Sequence, residues 1–174
     1  MAKVSFNKMA LKVNSEISTI TFGEFEIEIK QYLPISEKLE LIGSVVNNSS
    51  EDMKFYNIGK LKVYETLEIL YHYTNINFTD KQKEDICKLY DIVVSSGLYD
   101  EVLDAIPSSE IDFIEEAIFD TIDNIYKYQN SVMGIMDSIT EDYEGLNLDA
   151  TTIHKELADP QNLALLKGIM TKLG

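Results

Sequence analysis

Residues 109–139 read SEIDFIEEAIFDTIDNIYKYQNSVMGIMDSI, and every seventh position from Ile111 is branched and apolar: Ile111, Ile118, Ile125, Val132, Ile139. Ile114, Ile122, Tyr128, Ile135 and Met136 widen that row into a stripe, the pattern of a helix with one buried face. At a rise of ~1.5 Å per residue the helix would run ~45 Å, about the width of a domain of this size. Its first half is loaded with acid at Glu110, Asp112, Glu115, Glu116, Asp120 and Asp123. A sustained heptad row can also be a coiled-coil seam between chains. The companion row here is mixed (Ile114, Thr121, Tyr128, Ile135), and several other amphipathic segments need a core, so the stretch is expected to be the long central helix of one domain.

The segments that would pack around it can be placed in order. The first 16 residues have no clean period and are left as an arm or a short edge strand. Ile17–Phe22 and Phe25–Gln31 alternate in two runs joined by Gly23-Glu24, and Gly at the first loop position suits a type II′ hairpin. Closing that turn sets Phe22 opposite Phe25, Ile20 opposite Ile27 and Ser18 opposite Ile29, with Thr19, Thr21, Glu26 and Glu28 on the other face. Pro34 ends the second strand, and Ser36 can cap a helix to about Val46 with Leu39, Ile42 and Val46 on one side. Asn47–Gly59 is the longest candidate surface loop. Leu61–Thr74 has helical spacing at Val63, Leu67, Leu70 and Tyr71, with Glu65 and Glu68 outward.

Thr79 and Gln82 have the spacing of a capping box for a helix carrying Ile86, Leu89, Tyr90, Val93 and Val94 inward, with Gly97 at its left-handed end. Leu98–Ile106 is short, and Pro107 separates it from the long helix. Asp149 can cap a helix through Leu157, and Asp159-Pro160 starts a last one to the C-terminus. The expected fold is therefore mainly α (α+β): a single domain over 1–174, with an arm and β-hairpin at 1–32 and a body of about seven helices at 35–174.

Charge adds a second character. The chain totals −15, yet residues 89–154 hold 15 acids against Lys127 alone, and 89–126 hold ten acids and no base. Such a field repels nucleic acid and anionic membranes and favours basic partners. All 15 basic residues are lysine, so the guanidinium fork that reads guanine or clamps phosphate is missing, and direct nucleic-acid binding is not expected. No run approaches the ~18 apolar residues of a membrane span, and nothing resembles a signal peptide. The single cysteine, Cys87, excludes a disulfide framework within the chain and is expected to be a half-buried helix residue.

The sequence carries no recognisable motif of catalysis. His72 and His154 lie in no Glu-x-x-His pair, so a di-metal bundle site is not expected. Asp142, Glu144, Gly145, Asn147 and Asp149 depart from calcium-loop spacing and read as an acidic solvated loop. There is no Gly-x-Ser-x-Gly elbow, no phosphate-binding glycine loop and no base beside Cys87. Neither a catalytic residue, a cofactor nor a metal is expected. Tyr64, Tyr71, Tyr73, Phe78 and Tyr90 cluster around Asn75–Asn77 and read as core with hydroxyls reaching solvent, in preference to a ligand platform.

Three stretches, Lys30-Gln-Tyr-Leu-Pro-Ile-Ser-Glu-Lys-Leu-Glu-Leu-Ile42, Tyr73-Thr-Asn-Ile-Asn-Phe-Thr79 with Lys81–Asp91, and Leu148–Thr151 through Leu157-Ala-Asp-Pro160 to Lys167, resemble a family of small acidic proteins encoded by phages and prophages of low-GC Gram-positive bacteria. The hairpin followed by a helical body is also similar, more loosely, to siphophage tail assembly chaperones. The resemblance implies a phage-encoded, non-enzymatic assembly or virion-accessory protein in the host cytoplasm or the virion, binding a phage structural protein. The charge supports another reading, an acidic inhibitor of a host defence nuclease, of anti-CRISPR type, that mimics nucleic acid. An acid–base hydrolase built on paired carboxylates comes third. In either of the first two readings the binding residues are Glu110, Asp112, Glu115, Glu116, Asp120 and Asp123, and the oligomeric state stays open.

Overall fold

A computed structural model describes residues 3–51, 55–131 and 133–135. The chain is described as two compact units, Met1–Asp123 and Asn124–Gly174. The long helix, expected to run to about Ile139, ends at Gln129. The helices expected on 149–173 and the acidic loop before them lie outside the described residues.

The first unit begins with an exposed arm that makes one 3-10 turn at Phe6–Met9. It enters a hairpin of β1 (Ile17–Phe22) and β2 (Phe25–Lys30), antiparallel, in the register that the two-residue loop dictates. Gly23 supplies the positive φ of 62° that starts a type II′ turn. Ile27 and Ile29 are buried, while Thr19, Thr21, Glu26 and Glu28 face out. The far edge of β2 is closed by a bridge from Ile29 to Thr74 and by Glu28 N–H donating to Asn75 Oδ1 (3.2 Å).

Helix α1 (Ile35–Ser49) follows Pro34, which takes the N-cap position in place of the expected Ser36. Its buried row is Lys38, Leu41, Ile42, Val45 and Val46, and Leu39 points to solvent. Ile42 and Val46 of the expected row are therefore inside, and Lys38, which has a partner there, takes the place expected for Leu39. The expected surface loop after it contains a second, short hairpin, β3 (Ser50–Glu51) with β4 (Phe55–Tyr56).

Helix α2 (Ile58–Tyr73) is the most enclosed element of the unit, with Leu61, Glu65, Thr66, Leu67, Ile69, Leu70, His72 and Tyr73 buried. It packs against α1, α4 and α5. Its buried sides take in Glu65, expected to face outward, while Tyr71 lies on the side left open and is exposed. Glu65 keeps its charge partnered through Lys62 Nζ at 2.8 Å.

The single helix expected after Thr79 is two. The capping box forms, with Gln82 N–H donating to Thr79 Oγ1 and Thr79 N–H to Gln82 Oε1, but α3 (Asp80–Lys83) lasts one turn. Asp85 then leaves helical geometry and caps α4 (Ile86–Ser95) by accepting from Lys88 N–H at 3.1 Å. Asp85→Ala should cost ~1 kcal/mol, the usual value of an N-cap, read as a lower urea midpoint at unchanged slope. Gly97, at φ 80°, turns the chain into α5 (Leu98–Ala105), which lies against β1 and α4.

Helix α6 (Ser108–Gln129) is the longest described helix. Its buried positions are Glu110, Ile114 and Ile118, a four-residue spacing. Of the heptad row only Ile118 is buried; Ile111 and Ile125 are half-buried, and Val132 and Ile139 lie outside the described residues. A straight helix drifts ~20° per heptad away from a seven-residue row, so the row cannot stay on one side. In the second unit the chain turns at Asn130–Ser131, where the Ser131 hydroxyl donates to Tyr128 O (2.6 Å) and accepts from Gly134 N–H (3.1 Å). Local side-chain bonds of this kind compete with helix continuation. Among the described residues no helix is long and apolar enough to cross a membrane.

Candidate protein-binding face

The rotation of α6 is fixed from inside. The Glu110 carboxylate accepts from Lys38 Nζ (2.8 Å) on one oxygen and from Leu33 N–H (3.0 Å) and the Tyr73 hydroxyl (3.0 Å) on the other. Lys38 and Glu110 are 5% and 7% exposed, and Tyr73 is fully buried. The Lys38 ammonium also lies 4.8 Å from the ring centres of Tyr32 and Phe113, a favourable place for a cation. Burial alone would push the Glu110 carboxyl up; the Lys38 bond, the Leu33 amide and the Tyr73 hydroxyl outweigh it and hold the group below the ordinary carboxylate range. Burial and the same carboxylate push the Tyr73 hydroxyl far up, so it stays a donor.

With Glu110, Ile114 and Ile118 turned in, the 3.6-residue repeat carries Asp112, Glu116, Phe119, Asp120 and Asp123 onto the opposite side, and all five are exposed. Phe119 is 57% exposed in the middle of these carboxylates, and Phe113 edges the same face. Asp100, Glu101 and Asp104 on α5 are exposed as well. Of the six acids expected to bind a partner, Asp112, Glu116, Asp120 and Asp123 are therefore brought together. Glu115 sits half-buried at the flank, 3.7 Å from Lys62. Lys62, which burial would push down, is held above its ordinary range by Glu65 and Glu115. Glu110 belongs to the interior, where it has no access to a partner.

Sequence reading missed Lys38 and the inward role of Glu110, although a signal existed. Lys38 stands three and four residues before Leu41 and Ile42, and Glu110 four before Ile114, so each charge is in phase with a buried row. Complementary charges in phase with two apolar rows are a legible mark of a buried pair.

A pocket of about 420 Å³ opens between α1, α2 and α4, lined by Tyr64, Leu67, Tyr71, Phe78 and Leu89 with Lys83 at its rim. Tyr64, Tyr71 and Phe78 of the aromatic cluster thus meet here, while Tyr73 points its hydroxyl at Glu110 rather than at solvent. On its wall the Ser44 hydroxyl donates to Glu68 Oε1 (2.5 Å), and His72 Nε2 lies 3.4 Å from Glu68 Oε2. Burial would push Glu68 up; the bonds to His72 and Ser44 hold it below the ordinary range. In a nucleophilic triad the imidazole stands between hydroxyl and carboxylate. Here the carboxylate stands in the middle, so the imidazole faces Glu68 and not the hydroxyl, and the arrangement stabilises the Glu68 carboxylate. Cys87 is exposed, where half-burial was expected, and lines a second, largely apolar pocket of about 490 Å³ with Lys60, Lys62 and Tyr90. Among the described residues no three His, Cys, Asp or Glu side chains converge as a metal ligand set.

The chain matches no protein-family model, no curated protein and no solved structure.

Proposed function

We propose that the protein is a phage-encoded, non-enzymatic assembly or virion-accessory protein, of the tail assembly chaperone kind, that binds another phage protein in the host cytoplasm through the outer face of α6. The observation that carries the reading is the exposed Phe119 among Asp112, Glu116, Asp120 and Asp123. An aromatic anchor ringed by one sign of charge suits a protein surface with an apolar pocket and a lysine- or arginine-rich rim. The resemblance to small acidic phage proteins supplies the biological setting. The base-free run from Leu89 to Tyr126 favours a second reading, an inhibitor that occupies the nucleic-acid groove of a host defence nuclease.

The two differ in what holds the partner. An anchored protein interface survives moderate salt, whereas an occupant held by charge alone is expected to lose affinity steeply, like the nucleic acid it replaces. Affinity capture with the purified chain from phage-infected and uninfected lysates should recover a phage structural protein at moderate salt. With that partner in hand, Phe119→Ala should weaken binding at least ~10-fold, the size of an aromatic hot spot, and D112K/E116K/D120K should abolish it. Recovery of a host nuclease alone, at low salt only, would remove the assembly reading.

A further inference from the structure

We infer that the N-terminal arm of one copy docks on the outer face of α6 of a second copy, so that the protein pairs with itself by reciprocal arm exchange. The proposal takes the α6 face as a binding surface, as above, and assigns its occupant when no other partner is present.

The arm is the most apolar exposed segment described. Val4, Phe6, Met9, Leu11 and Val13 are 53–78% exposed, so the arm's own chain leaves these side chains uncovered. Apolar side chains gathered this densely on a surface mark a place that something covers. Lys3 precedes them and Lys8 and Lys12 stand between them, and residues 1–15 contain no acid. The complementary surface is in the same chain: Asp112, Glu116 and Asp120 stand exposed around Phe119 on the outer face of α6. A lysine-and-apolar segment thus meets an acid-and-aromatic face. Among the described residues Lys3, Lys8, Lys12, Asp112, Glu116 and Asp120 stand in no ion pair.

Geometry makes the exchange reciprocal. The root of the arm is held beside the end of α5: Gln31 N–H donates to Glu16 O (3.0 Å), and Gln31 Nε2 donates to Ala105 O (2.9 Å). Helix α6 begins three residues beyond Ala105, at Ser108. The root therefore lies near the start of α6 on each copy, and a two-fold axis near Ala105 sends each arm along the other copy's α6, the isologous arrangement of most homodimers. Reach is sufficient, since an extended segment of 13 residues spans up to ~43 Å and the first 16 residues of α6 run ~24 Å. A basic, apolar segment could instead meet an anionic membrane, but the chain's net charge of −15 opposes that approach.

Sedimentation equilibrium on the full-length chain tests the proposal. The expected result is a dimer that weakens as salt is raised, and a monomer for K3E/K8E/K12E and for D112K/E116K/D120K, each with an unchanged far-ultraviolet circular dichroism spectrum. A chain carrying both sets of reversals is self-complementary again and should regain the dimer. A wild-type monomer at every concentration, or a dimer that survives the arm reversals, would overturn the proposal. So would flotation of the wild-type chain with phosphatidylserine vesicles in place of self-association. Binding of a phage partner by K3E/K8E/K12E bears only on the function proposed above, and should strengthen once the competing arm is gone.

Discussion

Replacing Lys38 by methionine should cost the protein about 3–5 kcal/mol, the loss typical of a buried ion pair deprived of one member. Among the described residues Lys38 Nζ is the only full charge facing Glu110 at hydrogen-bond distance, and both side chains are almost fully enclosed. Their removal from water is already part of the folded state, so the methionine variant leaves a carboxylate with only the Leu33 amide and the Tyr73 hydroxyl. Guanidinium unfolding reads the loss directly; a change below ~1 kcal/mol would mean that water reaches the site, as at an exposed pair. K38M/E110L should recover part of the loss, because the charges leave together. It should not recover all of it, since the Leu33 N–H and the Tyr73 hydroxyl then lack an acceptor. Acid gives an independent readout. The folded Glu110 titrates below its ordinary value of 4.5, so its contribution is complete above that value and disappears as pH falls through the depressed one. A Glu110→Gln variant should therefore lose less stability than the wild type on acidification through this range.

Ile118→Ala is expected to cost about 2–5 kcal/mol, and Ile114→Ala as much, because both side chains are enclosed and truncation leaves a cavity beside α6. Ile111→Ala and Ile125→Ala, at half-buried positions, should cost distinctly less. The contrast is diagnostic. A coiled-coil seam on the heptad row would make all three isoleucines of that row equally sensitive, whereas the observed four-residue row singles out Ile118 and adds Ile114. Thermal or urea denaturation of the four variants decides between the two patterns.

The elements governed by local rules were legible. The hairpin register follows from a two-residue turn, the break at Gly97 from left-handed geometry, and the row of α4 from amphipathic spacing. The helix α2 was legible in outline, but not which of its sides are enclosed: burial extends well beyond the expected row to Leu61, Glu65, Thr66, Ile69, His72 and Tyr73 and leaves out Tyr71. Sequence reading puts Glu65 and Glu110 outside, since an isolated carboxylate in a helix is normally a solvated one. Their partners, Lys62 three residues away and Lys38 seventy-two away, show the difference: the first is a local pair, and the second exists only once α1 and α6 meet. The acid face survived this misreading with four of its six members, because helical phase alone gathers Asp112, Glu116, Asp120 and Asp123.

The Glu110 network has one further consequence, for how the outer face can change over evolutionary time. A one-residue slip of α6 would rotate it by about 100° and carry the carboxylate away from all three of its donors. The azimuth of the helix is thereby locked by a buried charge. Substitutions on the exposed side can change its charge and its apolar content while the direction in which it is presented stays the same.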